Sequence, residues 1–325
     1  MALTIGVDVG ATKVAGGVVD EDGVIIARAR RDTPSTDPAA CADTVASVVL
    51  ELAGRHDVTA VGLGAAGFVD EHRSVVLFAP NLAWRQEPLQ ERVGTRLDVP
   101  VIVENDANAA AWGEACFGAG RGQPHVICIT VGTGIGGGVV VGGELYRGRF
   151  GIAGEFGHLR VVPNGIRCGC GNKGCWEMYA SGSALVREAR DLAEAGSPLA
   201  SRLLELAGGR AEGITGPVVT RAAREGDPTA TELFEGLGQW LGEGIASLTA
   251  ILDPGCVVIG GGVSEAGELL LGPTRNAFQR ALTGRGHRPA AQIRLAELGN
   301  EAGLVGVADL ARRWRCFSRP RPGLA

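Results

Sequence analysis

The chain has 325 residues, 36 acidic against 31 basic side chains, and a formal net charge of −5. At 45% hydrophobic it carries material for about two domain cores, which excludes a disordered chain or a small disulfide-dependent scaffold. Mild acidity with two lysines, Lys13 and Lys173, leaves no electrostatic footprint for nucleic acid or an anionic membrane.

Glycine is the outlier, 52 of 325 residues against a usual figure of about 7%, and is expected in turns and loops. The first ten residues, MALTIGVDVG, have no positive segment and place Asp8 inside the apolar stretch. That is not the pattern of a secretion signal, so the eight cysteines are expected in a reducing cytoplasm, where a close cluster means metal or catalysis before disulfide.

A strand over 3–9 breaks at Gly10-Ala11-Thr12-Lys13 and resumes over 14–19. A helix is predicted from Pro38 to Gly54, with Asp37 as cap and Val45, Val48, Val49 and Leu52 on one face. Strands near 60–63 and 99–103 alternate with helical segments in an α/β rhythm. The helix after Asp106 ends at Gly118, read as a left-handed stop. Residues 126–143 form an uncharged 18-residue run, but seven are glycine, and the run reads as a hairpin rather than a membrane span. Laid over one another, residues 5–19 and 127–141 share six identities in 15 positions, each reading strand, glycine turn, strand. A third glycine turn, 259–263, follows a strand over 256–259. Two similar halves, each opening with a hairpin whose turn can hold phosphate, predict a two-lobed nucleotide-binding protein. A helix over about 300–313 returns to the first lobe, and 315–325 reads as a solvated tail.

Two stretches match G-x-G-x-x-G, 62–67 and 132–137, but β-forming residues follow both. A dinucleotide fingerprint needs a helix there, so both are set aside. The glycine hairpins remain phosphate candidates, because glycine lets backbone N–H groups approach a polyanion, although each also reads as an ordinary tight turn. Thr12, Lys13 and Thr133 add hydroxyl and ammonium donors, and Asp8 is placed to hold magnesium through water. Asp106 stands where an apolar strand gives way to a helix. It reads either as a helix cap or as a carboxylate that takes a proton from an attacking alcohol. His158 followed by Cys168, Cys170 and Cys175 makes a closed tetrahedral zinc set, against the alternative of buried thiols at chance spacing. Ordering this loop would bring Glu155 and Glu177 near one point.

DVGATK at 8–13, ENDAN at 104–108, EFGH at 155–158 and CGCGNKGCWE at 168–177 resemble the ROK (repressor, open reading frame, kinase) family of sugar kinases and regulators, over residues 3 to about 314. Within that family the likeness is greatest to ATP-dependent bacterial kinases acting on glucose. The resemblance implies an α/β, two-lobed actin/hexokinase-like (ribonuclease H-like) fold with nucleotide and sugar in the interlobe cleft. The domains expected are 1–109 plus about 300–314, and 110–299 carrying a zinc loop at 158–175. It further implies Asp106 as general base on the sugar 6-hydroxyl. Asn81, Asn105, Glu155, His158 and Glu177 would bind sugar, with His158 also on zinc. Gly10, Thr12, Lys13, Thr133 and Gly134 would line the phosphates, and Gly261 and Gly262 would lie near adenosine.

The expected ligands are ATP with Mg2+, structural Zn2+ and a small sugar. No nucleic acid or membrane partner is expected, since family repressors carry an N-terminal helix-turn-helix and here the hairpin begins at residue 3. A homodimer or homotetramer is expected. The alternatives kept open are a kinase for another hexose or an N-acetylhexosamine, and a sugar-sensing regulator without turnover.

Overall fold

The computed structural model describes residues 2–318, with side chains as far as Trp314. β1 (Leu3–Val9) is almost continuously apolar and lies at the centre of a five-stranded sheet, as a strand buried on both faces must. It pairs antiparallel with β2 (Lys13–Val19), which pairs with the edge strand β3 (Ile25–Asp32). Arg28, Arg30 and Arg31 on β3 place charge along that edge and discourage further strand addition. Helix α1 (Pro38–Ala53) begins where expected: the Asp37 carboxylate accepts from the N–H groups of Ala39 and Ala40, and Val45, Val48, Val49 and Leu52 are buried. β4 (Val58–Ala65) runs parallel to β1. A small sheet of β5 (Phe68–Val69), β6 (Val76–Phe78) and β7 (Arg85–Glu87) follows, then a short helix, α2 (Leu89–Gly94). β8 (Val101–Asn105) closes the order β3-β2-β1-β4-β8 and leads directly into α3 (Asp106–Phe117).

The run over 126–143 forms two strands, β9 (Val126–Val131) and β10 (Ile135–Val141), extended by β11 (Glu144–Tyr146). Among the described residues no helix is long and apolar enough to cross a membrane. Helices α4 (Glu177–Ala180), α5 (Gly182–Glu194), α6 (Ser201–Leu206), α7 (Gly216–Arg224) and the 25-residue α8 (Pro228–Leu252) come next. β12 (Cys256–Gly260), α9 (Glu268–Ala281), β13 (Gln292–Leu295) and α10 (Ala302–Ser318) complete the chain. The second sheet has the order β11-β10-β9-β12-β13, with β9, β12 and β13 parallel. The strand order of the first sheet is thereby repeated, and β2 and β10 occupy the same positions in the two aligned 15-residue segments.

The described residues form two compact units: 2–124, 138–154 and 297–318, and 125–137 and 155–296. The first unit thus extends beyond the expected limit at 109, and 138–154 join it. The cause is packing on α3. A Cβ on Gly113 would overlap the Ala302 carbonyl of α10, and one on Gly138 would fall 3.2 Å from the Ala107 carbonyl of α3. α10 runs on to Ser318, four residues into the expected tail; the rest of that tail lies outside the described residues.

Two further expectations change. Gly118 ends α3 at φ −115° rather than left-handed; it is small because the Glu114 carboxylate fills the space where a Cβ would stand. Nor are the glycines confined to turns. Gly6 and Gly62 lie in strands beneath the Leu304 and Val307 carbonyls of α10, and Gly238 and Gly242 of α8 lie against Pro273 and Thr274 of α9. Gly306→Ala would drive a methyl into the Ala109 carbonyl. It is expected to cost about 1–3 kcal/mol or more and to lower Tm by several degrees. Gly236→Ala, facing open space on α8, is expected to be neutral or stabilising by up to about 1 kcal/mol; calorimetry of the two variants checks the contrast.

Candidate active site and metal centre

In the first unit, the strand-to-helix corner divides the two roles that Asp106 alone could have filled. Asn105 is the cap: its Oδ1 accepts from the Asn108 N–H at 2.9 Å, and its Nδ2 donates to the Gly67 carbonyl at 3.0 Å. Asp106, half-buried, is then the first helical residue, at the carboxyl end of a parallel strand where α/β sheets bind ligands. Its Oδ1 accepts from the Ala107 N–H at 2.9 Å. Asn81 is exposed in a loop stitched by Arg85, whose Nη1 donates to the carbonyls of Ala79 (2.8 Å), Leu82 (3.3 Å) and Trp84 (2.6 Å). The turn at Gly10-Ala11-Thr12-Lys13 is closed by the Gly10 N–H on the Lys13 carbonyl at 3.0 Å. Burial pushes the Asp8 carboxyl up, with Lys13 opposing.

In the second unit, the ligand atoms of His158, Cys168, Cys170 and Cys175 all lie within 4.8 Å of one another. Cys170 Sγ is 3.6 Å from Cys175 Sγ, and Cys168 Sγ is 3.6 Å from His158 Nδ1. A disulfide would need about 2.05 Å. A tetrahedron with Zn–S near 2.3 Å has S···S edges of about 3.8 Å, so these residues fit a four-coordinate ion. Burial acts to raise the Cys170 thiol. Hydrogen bonds from the Asn172 backbone and from neighbouring thiols outweigh it and hold the group below its ordinary range, whereas burial pushes the Cys168 and Cys175 thiols up; only Cys170 is inclined to the thiolate without a metal.

The loop is fastened from α4 and α8. The Trp176 indole donates to the Trp240 carbonyl at 2.9 Å, and the Tyr179 hydroxyl accepts from the Ile166 N–H at 2.8 Å. Tyr179 also lies against Trp240, with ring centroids 4.8 Å apart. Glu177 and Glu155 stand at opposite edges of the His158 ring, Glu177 Oε1 3.5 Å from Nδ1 and Glu155 Oε2 3.9 Å from Nε2. Burial pushes the Glu155 carboxyl up; His158 opposes this and Glu177 adds to it. The other Glu177 oxygen fills the space where Gly134 would carry a Cβ, so the cysteine loop and the second glycine turn meet.

That turn is closed by the Gly132 N–H on the Gly134 carbonyl at 3.0 Å, and the Gly182 N–H reaches the Gly132 carbonyl at 2.8 Å. Gly132, Thr133, Gly182 and Gly262 line a cavity of about 1140 Å³, walled by α5 and α7. Gly261, at φ +84°, sits 2.5 Å (as a Cβ) from the Val131 carbonyl and turns the chain from β12 into the cavity wall. A groove of similar size on α5, α8 and α9 is lined by Glu188, Asp191, Glu232 and Glu235, a charge that repels a polyphosphate. Arg190, on the cavity wall, donates to the Ile214 and Glu212 carbonyls at 3.0 and 2.9 Å.

The structure therefore gathers the sequence-derived residues into two sets. Gly10, Thr12, Lys13, Asn81, Asn105 and Asp106 belong to the first unit; Thr133, Gly134, Glu155, His158, Glu177, the three cysteines, Gly261 and Gly262 belong to the second. Sequence reasoning missed Arg85, Tyr179 and the arginines that pair with buried Glu104, because each acts on a partner that no local motif marks. Elemental analysis of purified protein is expected to find one zinc per chain. Cys170→Ser is expected to lose the metal and lower Tm.

The ROK family model matches residues 4–314. Over 312 residues the chain is 53% identical to a glucokinase of Streptomyces coelicolor, covering 96% of this chain and 98% of that protein. It is 37% identical to a glucokinase of Thermotoga maritima over 95% of this chain and 96% of that one. Among solved structures, a ROK family glucokinase from Streptomyces griseus in complex with glucose and AMPPNP matches with a TM-score of 0.86 and 54% identity, covering 96% of this chain and all of that one. This chain belongs to the ROK family.

Proposed function

We propose that the chain is an ATP-dependent glucokinase that transfers the γ-phosphoryl group of MgATP to the 6-hydroxyl of glucose. The observation that carries this reading is the likeness to glucokinases along nearly the whole chain, above half identity. Asp106 accepts the hydroxyl proton as the new O–P bond forms in line with the bond to the leaving ADP oxygen. Asn81, Asn105, Glu155, His158 and Glu177 bind the sugar hydroxyls. Asn105 does so with the second Nδ2 hydrogen and the second Oδ1 lone pair, the others being committed to Gly67 and Asn108.

Thr12, Lys13, Thr133 and Gly134 present N–H, hydroxyl and ammonium donors to the phosphates, Gly10 lines them as the closed turn that lets the chain approach, and Gly261 and Gly262 leave room for adenosine. Asp8 is the carboxylate that would hold Mg2+, which would supply positive charge against the phosphates during transfer. His158, Cys168, Cys170 and Cys175 would hold a structural zinc ion. As thiol, Cys168 donates to Glu177 Oε1 at 3.0 Å; as a metal-bound thiolate it has no hydrogen to give, which leaves that oxygen free for a sugar hydroxyl. The reading includes a cytoplasmic location, supported by the reduced-thiol chemistry of the metal set, and a homodimer or homotetramer, which light scattering after size exclusion would measure.

ADP release with MgATP is expected to be strongest with glucose among glucose, mannose, fructose and the two common N-acetylhexosamines. Preference for an N-acetyl sugar would replace the substrate, and no turnover on any of them would favour a sensor. Asp106→Ala is expected to lower kcat by about 10²–10⁴ while calorimetry still detects glucose binding. Because burial raises Asp8, its carboxylate protonates at a higher pH than the ordinary value near 4. The Mg2+ concentration for half-maximal rate is therefore expected to rise on acidification above that range. In Asp8→Asn it is expected to be high at every pH.

A further inference from the structure

Glu104 is fully buried and immediately precedes Asn105 and Asp106. A lone carboxylate in that position costs several kcal/mol unless it is paired and hydrogen-bonded. Arg147 Nε approaches Oε2 at 2.8 Å and Oε1 at 3.1 Å, and Arg73 Nε approaches Oε2 at 3.3 Å. The carboxylate also accepts from the Asn105 N–H at 3.0 Å and from Asn108 Nδ2 at 3.2 Å. It therefore holds both the strand end and the first turn of α3.

The other two nitrogens of Arg147 are committed as well. Nη1 donates to the Glu71 carbonyl at 3.1 Å and Nη2 to the Asp70 carbonyl at 2.9 Å. That turn is itself rigid, since the Asp70 carboxylate accepts from the Ser74 N–H, the Ser74 hydroxyl and the Val75 N–H at 2.8, 2.8 and 3.0 Å. It is joined to β8 through the Val103 N–H on the Arg73 carbonyl at 2.8 Å. One planar guanidinium thus spans three acceptors, two on a locked turn and one on the carboxylate beneath the corner, a span that no ammonium can reproduce.

We infer that Arg147, acting through Glu104, is a positioning residue for phosphoryl transfer, holding the corner that carries Asn105 and Asp106 in its reactive register. The inference rests on Asp106 being the base. Misplacing such a group by about 1 Å can cost 10²-fold in rate, so the effect belongs in kcat rather than in nucleotide affinity.

The test measures kcat, KM for each substrate and Tm for Arg147→Lys, Arg147→Ala and Glu104→Gln, on the hexose that the wild type phosphorylates fastest. Arg147→Lys keeps a positive charge but cannot span the three acceptors. It is expected to lower kcat at least tenfold, with KM for ATP within about twofold and Tm within a few degrees of wild type. Arg147→Ala is expected to lose more kcat than Arg147→Lys, and Glu104→Gln to fall in the same direction. If Arg147→Ala fails to fold, the other two decide. A kcat within twofold of wild type in folded Arg147→Lys and Glu104→Gln, or a loss that only tracks the unfolded fraction, overturns the inference. A wild type that prefers another hexose overturns the glucokinase reading alone.

Discussion

The carbonyls of Leu304 and Val307 occupy the space in which Gly6 and Gly62 would carry side chains. Helix Ala302–Ser318 therefore lies with its backbone directly on the first sheet, and most of the first unit depends on that approach. The helix also meets Asp106–Phe117 at Gly113 and Gly306, glycine against backbone on both sides. Backbone contact of this kind leaves no side chain to rotate or yield, so interior packing transmits a displacement instead of absorbing it. The corner at Asn105 and Asp106 inherits that rigidity, because the helix it opens is wedged between Gly138 on one face and Gly306 on the other.

The second unit meets the equivalent problem with polar side chains in place of backbone contact. The loop over 158–175 has little apolar burial of its own, with Ile166 and Lys173 at its surface, and it is gathered by the cluster of His158 with three cysteines and fastened by Trp176 and Tyr179. Two carboxylates are thereby held against one imidazole at a spacing that solvent-exposed glutamates would not keep unaided. Glu177 stands at the meeting of three requirements: the histidine ring, the Cys168 sulfur and the absent side chain of Gly134.

Local patterns were legible in the sequence and distant partnerships were not. The two glycine hairpins, the Asp37 cap and the cysteine set are each written within about 20 residues, and the strands, helix and cluster formed where those residues stand. The choice between cap and base at 105–106 was invisible, because it turns on which side chain reaches the Asn108 N–H and the Gly67 carbonyl. Gly118 reads as a helix stop by habit of position, yet its size answers to the Glu114 carboxylate. The excess of glycine suggested loops because composition cannot tell a turn from a backbone crossing. Glu104, Arg73 and Arg147 look like ordinary surface charges until the fold brings residues 43 positions apart to a common point.

The place of Ala302–Ser318 in the first unit has a consequence for how the protein is made. The sheet that opens the chain cannot cover its second face until a helix near the end of the chain is available. At ribosomal speeds of roughly 5–20 residues per second, the interval between residues 124 and 302 is on the order of 10–35 s. During that time an apolar sheet face lined by bare glycine backbone waits exposed, while the contiguous stretch 155–296 is synthesised and free to fold. Vectorial synthesis thus gives this protein a fixed order of completion, in which one face of the first sheet made is among the last surfaces to be buried.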